Sequence, residues 1–192
     1  MEFTFSNKRW LTEEEVQSKV TIKDKDALGF HVPGMFDKVI NLNNCHLQKD
    51  PSNKIRLSLK EFTQKNNLTY FDIQNHDGLL RNLIIRTSST NDLMVLVQFF
   101  KNDQKNINLI MRHLKTEFPE INSLLYIINE KANNTIYDQK VICYSGKDHI
   151  MEKIDDLEFK IGPKSFFQTN SKQAEILYRK TKELAEIQKD EI

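Results

Sequence analysis

The 192-residue chain has few glycines, and their spacing excludes the common nucleotide-binding loops. Its five glycines lie far apart, so that no Gly-x-Gly pair occurs. P-loops and Rossmann dinucleotide loops both need closely spaced glycines, because the backbone must approach the phosphates. The sequence also lacks a Gly-x-Ser-x-Gly segment and a His-x-x-x-His pair, which excludes a hydrolase elbow and the usual zinc-protease helix. These absences predict that the chain alone holds no catalytic residues.

Cysteine is scarce as well. Cys45 and Cys143 are far apart, which is typical of a reducing compartment rather than of a disulfide framework, and two thiols cannot complete a four-thiolate metal site. Cys143 lies in an apolar run, which predicts a buried, inert thiol. Cys45 follows two asparagines, which predicts a surface or loop thiol. Such a thiol could bind a metal with ligands from elsewhere, although an unliganded cysteine is the simpler interpretation.

Long apolar runs and an excess of one charge are also missing. No run approaches the roughly 20 residues that span a bilayer, and the N-terminus has no signal-peptide pattern. We therefore expect a cytoplasmic protein that does not contact a membrane. The net charge is +1, so any contact with nucleic acid must come from local basic patches.

The hydrophobic periodicity predicts an α+β fold, with a largely antiparallel β-sheet and helices packed on it. Helices are predicted from Ser52 to about residue 66, over residues 104–118, and from Ser171 onward. The charged stretch 12–26 is predicted to be a surface loop. Strands are predicted at residues 2–5, 27–32, 38–42, 79–87, 93–100, 124–128, 141–144 and 157–161.

Residues 162–170 are the most informative segment, because they set two aromatic rings and an amide just before the last predicted helix. In an extended segment the side chains alternate, so Phe167 can face a core while Phe166 and Gln168 share the opposite surface. A flat ring beside an amide suits a flat ligand. The alternative is an ordinary aromatic core pair followed by a helix that Asn170 caps.

Basic side chains near aromatic rings are a further signal. The tripeptide Lys8-Arg9-Trp10 joins two cations to an indole, and Arg81 and Arg86 bracket a predicted strand. More cations surround the aromatic pair, namely Lys164, Lys172, Arg179 and Lys180. This combination suits single-stranded RNA, because cations bind phosphates and rings stack on bases. The alternative is ordinary surface charge.

Residues 165–170, Ser-Phe-Phe-Gln-Thr-Asn, followed by Gln-Ala-Glu-Ile-Leu-Tyr at 173–178, resemble the junction segment of the S-adenosylmethionine-dependent RNA (uracil-5-)-methyltransferases, the transfer-RNA and 23S ribosomal-RNA uracil methylases. Residues 1–5, 29–45 and 80–86 agree with the same family. The resemblance implies that Gln168 contacts the methyl donor and that Phe166 lies near the target base. It also implies that Cys45 is the fourth ligand of an iron-sulfur cluster, whose other three cysteines would lie upstream and are not in this chain.

The resemblance covers only the central part of the family's architecture. It implies a central RNA-binding domain over residues 1–161, and a junction with a long helix over residues 162–192 that would lead into a Rossmann-like methyltransferase domain. We therefore expect a parent enzyme that methylates a uridine of rRNA or tRNA, and an inactive fragment that binds RNA, rather than DNA, through Phe166, Lys164, Arg81 and Arg86. The alternative is a non-enzymatic RNA- or protein-binding module.

Overall fold

The computed structural model describes residues 1–18, 21–22 and 24–186. Four helices occur in these ranges: α1 Glu13–Gln17, α2 Ser52–Lys65, α3 Gln104–Glu117 and α4 Ser171–Ala185. None of them is both long enough and apolar enough to cross a membrane. The strands are β1 Glu2–Ser6, β2 Ala27–Val32, β3 Met35–Asn41, β4 Leu80–Thr87, β5 Leu93–Phe99, β6 Ser123–Ile128, β7 Val141–Gly146, β8 Ile150–Ile154 and β9 Leu157–Ile161.

Seven of these strands form one sheet, in the order β3-β2-β1-β4-β5-β6-β7. All neighbouring pairs are antiparallel except β5 and β6, which are parallel and are connected through α3. A parallel pair needs a crossover, and a helix supplies one that also covers the sheet. The predicted α+β fold with a largely antiparallel sheet is confirmed.

The main core lies between one face of the sheet and helices α2 and α3. Phe3 and Phe5 of β1 are fully buried there, beneath the apolar stripes of both helices. Ile55 and Leu59 come from α2. The apolar residues of α3 recur at helical spacing, and Ile107, Ile110, Met111 and Leu114 are buried.

A second apolar cluster covers part of the opposite face. The hairpin of β8 and β9 forms a separate two-stranded sheet and packs Ile150 and Ile161 against the side chains of Ile84 and Leu96. Strand β8 is absent from the sequence-based prediction. Its inward positions include a carboxylate, Glu152, which interrupts the alternation of apolar and polar residues that marks a half-buried strand.

The stretch 12–26 was predicted to be a loop, and this is wrong for its first part. Residues Glu13–Gln17 form α1, which starts with a capping box: the Thr12 side chain accepts from the Glu15 amide, and the Glu15 carboxylate accepts from the Thr12 amide. The spacing Thr-x-x-Glu is a known start signal for a helix. Residues 19, 20 and 23 of this stretch lie outside the described ranges.

Candidate functional site

Residues 162–170, called the junction below, connect β9 to α4 and carry the side chains singled out above. Phe167 turns inward: its ring lies 5.9 Å from that of Phe159, centroid to centroid, and packs against the second apolar cluster. Phe166 is 82% exposed, and Gln168 is exposed as well. One ring therefore anchors the junction while the neighbouring ring and the amide face solvent, which is the predicted alternation. Their binding roles stay predictions.

Arg86, near the end of β4, fixes the start of the junction. Its Nη1 donates to the carbonyl oxygens of Gly162, at 3.1 Å, and Ser165, at 2.8 Å. The Ser165 amide donates to the Gly162 carbonyl, and the Ser165 hydroxyl accepts from the Gly162 amide at 3.0 Å. Burial lowers the pKa of Arg86. This half-buried guanidinium thus holds a tight turn directly before Phe166.

Lys164 is also occupied by the protein itself. Its Nζ donates to the carbonyl oxygens of Tyr137, at 2.9 Å, and Gln139, at 2.6 Å. Lys164 and Arg86 were both expected to contact RNA. In the structure Lys164 Nζ and Arg86 Nη1 donate to backbone carbonyls, so the two side chains position the junction, and their expected contacts with RNA stay predictions.

Arg81 lies in the interior, although it was expected on the surface beside exposed rings. It is fully buried, and its guanidinium donates to the carbonyl oxygens of Asn129, at 2.8 Å, and Lys131, at 2.6 Å, and to Asn134 Oδ1 at 2.6 Å. It also lies over the ring of Phe71, 4.3 Å from its centroid. Burial lowers the pKa of Arg81 to about 10. In the structure the Arg81 side chain does not reach solvent and acts as a structural cation, and its expected contact with RNA stays a prediction.

The buried carboxylate of Glu152 ties three elements together. It accepts from the amide and hydroxyl of Ser89, in the turn between β4 and β5, and from the hydroxyl of Ser171, the first residue of α4, at 2.8 Å. The Lys153 amide donates to it as well. Burial alone would raise the pKa of Glu152, but these hydrogen bonds outweigh burial and leave the pKa below its usual value. Sequence reasoning missed this residue, since a lone glutamate in a strand carries no local signal.

Helix α4 begins as predicted but its apolar side is uncovered. Asn170 Oδ1 accepts from the Gln173 amide at 3.1 Å, which confirms the cap. On this apolar face, Ala174 is buried, whereas Leu177 and Leu184 are exposed, the latter by 75%. Within the described residues, nothing packs on the second half of this face. Residues 187–192 of the predicted helix lie outside the described ranges.

The two cysteines exchange the environments that were predicted for them. Cys45 is only 5% exposed, because Asn53 of α2 binds its backbone: Oδ1 accepts from the Cys45 amide at 2.8 Å, and Nδ2 donates to its carbonyl at 3.1 Å. Cys143 is exposed, since β7 is an edge strand and its side chain points away from the core residues Ile142 and Tyr144. Cys45 does lie in a loop, but it is buried there, and the buried environment predicted for Cys143 is wrong.

The described residues do not fit an iron-sulfur cluster by themselves. No group of three or more His, Cys, Asp or Glu side chains able to hold a metal occurs among them. A cluster needs about four thiolates, and Cys45 has no second cysteine in its surroundings. Ligation by Cys45 therefore stays a prediction that depends on residues outside this chain.

Three comparisons with known proteins bear on this site. No protein-family model matches the chain. Among curated proteins, it is 48% identical to an uncharacterized RNA methyltransferase of Porphyromonas gingivalis over 100% of this chain and 42% of that protein. It is 47% identical to an uncharacterized RNA methyltransferase of Bacteroides thetaiotaomicron, over 96% of this chain and 41% of that protein. It is 35% identical to one of Chlorobaculum tepidum, over 93% of this chain and 38% of that protein.

The chain is homologous to part of these RNA methyltransferases. Among solved structures, the tRNA (uracil-54, C5)-methyltransferase of Pyrococcus abyssi, in complex with S-adenosyl-L-homocysteine, matches with a TM-score of 0.68 and 24% identity, over 96% of this chain and 39% of that one. At this identity the match shows a shared fold. The resemblance stated from the sequence is confirmed at the level of RNA methyltransferases. The chain spans between 38% and 42% of the length of these curated relatives.

Proposed function

We propose that this chain is the RNA-binding part of an S-adenosylmethionine-dependent RNA (uracil-5-)-methyltransferase that modifies a uridine of tRNA or rRNA. The chain binds and positions the RNA, and the chemistry belongs to the whole protein. The division into residues 1–161 and 162–192, and a catalytic domain beyond them, are part of the same proposal. S-adenosylmethionine, when bound, supplies the methyl group.

The observation that carries the proposal is the opposite placement of two adjacent rings. Phe167 is packed, whereas Phe166 is 82% exposed next to the exposed amide of Gln168. A large exposed ring gives up the stabilisation of burial, about 1.5–3 kcal/mol for a side chain of this kind. This ring stands beside an exposed amide on a segment that Arg86 holds in place, an arrangement that suits a flat ligand. Uracil is a flat ring with polar edges, so it can stack on Phe166.

Gln168 suits a contact with the methyl donor, because its amide offers both a hydrogen-bond donor and an acceptor. One amide holds one polar edge of a ligand, so the remaining contacts with the methyl donor must come from the rest of the protein. Arg86 and Glu152 fix the two ends of the junction and thereby limit its motion. A fixed junction lowers the entropy that is lost when base and donor bind.

A titration of the full-length protein with S-adenosylmethionine tests the role of Gln168. Gln168→Ala is expected to weaken donor binding by about ten-fold, the loss of one good hydrogen bond at about 1.4 kcal/mol, with an unchanged melting temperature. Gln173→Ala, an exposed amide one turn later, is the matched control and leaves donor affinity unaltered. Equal donor affinity in Gln168→Ala and the wild-type protein would remove Gln168 from the site.

The isolated chain gives the complementary test. It is expected to bind RNA weakly, with an affinity that falls as salt rises, and to transfer no methyl group to RNA. Incubation with radiolabelled S-adenosylmethionine and a uridine-containing RNA measures the transfer. Label incorporation by the purified chain would refute the assignment of the chemistry to the rest of the protein.

A further inference from the structure

A cavity at the far end of β1 is distinct from the junction. Its volume is about 830 Å³, within the roughly 300–1,000 Å³ of small-molecule sites. It is open to solvent on one side and is lined by the segment after β1, helix α1, the loop before β2, and Lys38 on β3. Met1 lies beside the Arg86 end of β4, where its carbonyl accepts from the Ile85 amide, and β1 runs away from that end. Seven residues at 3.3 Å each place Lys8 roughly 20 Å farther along.

The cavity has an apolar wall that is held firmly in place. Trp10, the single tryptophan of the chain, is 41% exposed and lines this wall. Its amide donates to the Val39 carbonyl at 2.8 Å, and the Val39 amide donates to the Lys8 carbonyl at 3.2 Å. The Arg9 amide donates to the Lys25 carbonyl at 2.8 Å. Backbone hydrogen bonds on both sides therefore hold the main chain that carries the indole. The other apolar lining residues are Leu11, Val16 and Ile22.

The cations around the cavity divide into occupied and available ones. Arg9 is neutralised by Glu15, with hydrogen bonds of 3.0 and 2.7 Å, and these lower the pKa of Glu15 to about 2, so that the carboxylate stays ionised. Lys8 pairs with Asp72 at 3.5 Å.

Lys25 is exposed and forms no ion pair with another described residue, and Lys38 has only a 3.9 Å contact with the adjacent Asp37. Glu13 is the one carboxylate among the described lining residues. The cavity thus presents an indole on a held main chain, with two available ammonium groups among its lining residues.

We propose that this cavity binds one nucleotide of single-stranded RNA, with the base stacked on Trp10 and the adjoining phosphates bound by Lys25 and Lys38. This inference rests on the proposed function in one respect, the choice of RNA as ligand. Stacking on an aromatic ring tolerates any base, and ammonium groups recognise phosphate without reading sequence. The cavity therefore holds the strand, while the junction acts on the target base. Because the two sites are separated, a strand of several nucleotides gains affinity from contacting both.

Trp10 itself reports the test, since no other tryptophan contributes to the fluorescence of the chain. An oligouridine of about ten nucleotides, within the usual range of site sizes, is titrated into the purified chain. Saturable quenching of Trp10 is expected. The double variant Lys25→Ala/Lys38→Ala is expected to weaken binding by about ten-fold and to reduce the slope of log K against log salt by about 1.4, since each phosphate contact on a single strand contributes about 0.7.

The matched control carries Lys54→Ala and Lys115→Ala, two exposed lysines on α2 and α3, and is expected to bind like the wild-type chain.

Binding of a fluorescein-labelled oligouridine, followed by anisotropy, gives a second readout that does not need the indole. By this readout Trp10→Ala is expected to weaken binding and Trp10→Phe to restore most of it. Oligouridine binding seen by anisotropy without Trp10 quenching would overturn the proposal. Equal quenching by polyphosphate would also overturn it, because a bare anion site needs no base.

The outcomes also separate this inference from the proposed function. Phe166→Ala in the junction is expected to weaken oligouridine binding but to leave the amplitude of Trp10 quenching at saturation intact. If Phe166 and Gln168 have no role in methylation, the cavity still binds oligouridine and the quenching persists. If the cavity proposal is wrong and the proposed function is right, Phe166→Ala weakens RNA binding while Lys25→Ala/Lys38→Ala has no effect.

Discussion

Ser171 donates its side-chain hydrogen bond to the buried carboxylate of Glu152, with 2.8 Å between the two oxygens. This contact fastens the first turn of α4 to β8, and the same carboxylate reaches Ser89 in the turn that connects β4 to β5. The end of the junction is therefore fixed through a group that lies outside the junction itself. Side chains distant in sequence thus determine where Phe166 and Gln168 stand.

Glu152→Gln is expected to lower the free energy of unfolding by about 1–3 kcal/mol, since an amide NH2 replaces one acceptor oxygen and leaves a buried donor unpaired. Hydrogen exchange over residues 171–175 is expected to accelerate. Urea denaturation and exchange mass spectrometry measure both effects. Glu158→Gln, an exposed carboxylate on β9 of the same hairpin, is the control and should change neither. Unchanged exchange at the start of α4 in Glu152→Gln would contradict the anchoring role.

The same carboxylate predicts a pH dependence. Because the pKa of Glu152 is lower in the folded state than in the unfolded state, its contribution is fully present above the unfolded pKa of about 4.3. It is lost as pH falls through the folded pKa, where protonation removes the charge. The stability difference between wild type and Glu152→Gln should thus be constant from pH 7 to 5 and shrink on further acidification. Urea denaturation of both proteins at each pH measures this difference.

Arg86→Lys is expected to loosen the start of the junction, because Nη1 of arginine donates to both carbonyl oxygens and the lysine Nζ lies one bond closer to the backbone, too near to reach both. We expect faster hydrogen exchange over residues 162–166 and a loss of about 1–3 kcal/mol in the free energy of unfolding. Arg112→Lys on the exposed side of α3 is the matched control. Wild-type exchange rates at the junction in Arg86→Lys would show that the turn needs no such support.

Phe166→Ala and Phe167→Ala should have opposite effects. Loss of the exposed ring at 166 is expected to leave the melting temperature unchanged and to weaken RNA binding by about ten-fold, since one stacking contact contributes about 1–3 kcal/mol. Loss of the half-buried ring at 167 should lower the free energy of unfolding by about 1–2 kcal/mol, less than for a fully buried ring. Thermal unfolding and RNA anisotropy separate the two. Equal destabilisation by both variants would favour the alternative in which the pair is ordinary core.

The sequence predicts the elements whose signals are local, and it fails where the environment comes from distant residues. The stripe of α3 and the alternation at Phe166 and Phe167 depend only on spacing, and both are present in the structure. The cysteines were assigned from their neighbours alone. Cys45 follows polar residues, yet α2 covers it through Asn53. Cys143 lies in an apolar run, yet its position on the edge strand β7 exposes it.

The basic residues show the same limit of sequence-based prediction. Arg81 and Arg86 differ little in sequence context, and both were predicted to bind phosphate. The loop after β6 and the junction, which supply the carbonyl oxygens that bind them, are about 45 to 80 residues away in the chain. A pattern of basic residues gives the number of cations and not their partners. Lys25 and Lys38, which the sequence did not single out, have no strong partner in the described structure.

Arg81 offers the sharpest test of a structural cation against an RNA-binding one. Its guanidinium is fully buried and binds two backbone carbonyls and Asn134, with no carboxylate partner in the described part of the chain. Arg81→Lys keeps the charge but removes the two planar NH2 groups of the guanidinium, so buried oxygen atoms lose their hydrogen-bond donors. The free energy of unfolding is expected to fall by about 3 kcal/mol or more. RNA affinity per folded molecule should not change. Urea denaturation followed by anisotropy under folded conditions measures both quantities, with Arg112→Lys as the control. A stable Arg81→Lys variant with weakened RNA binding would show that this guanidinium reaches the RNA after all.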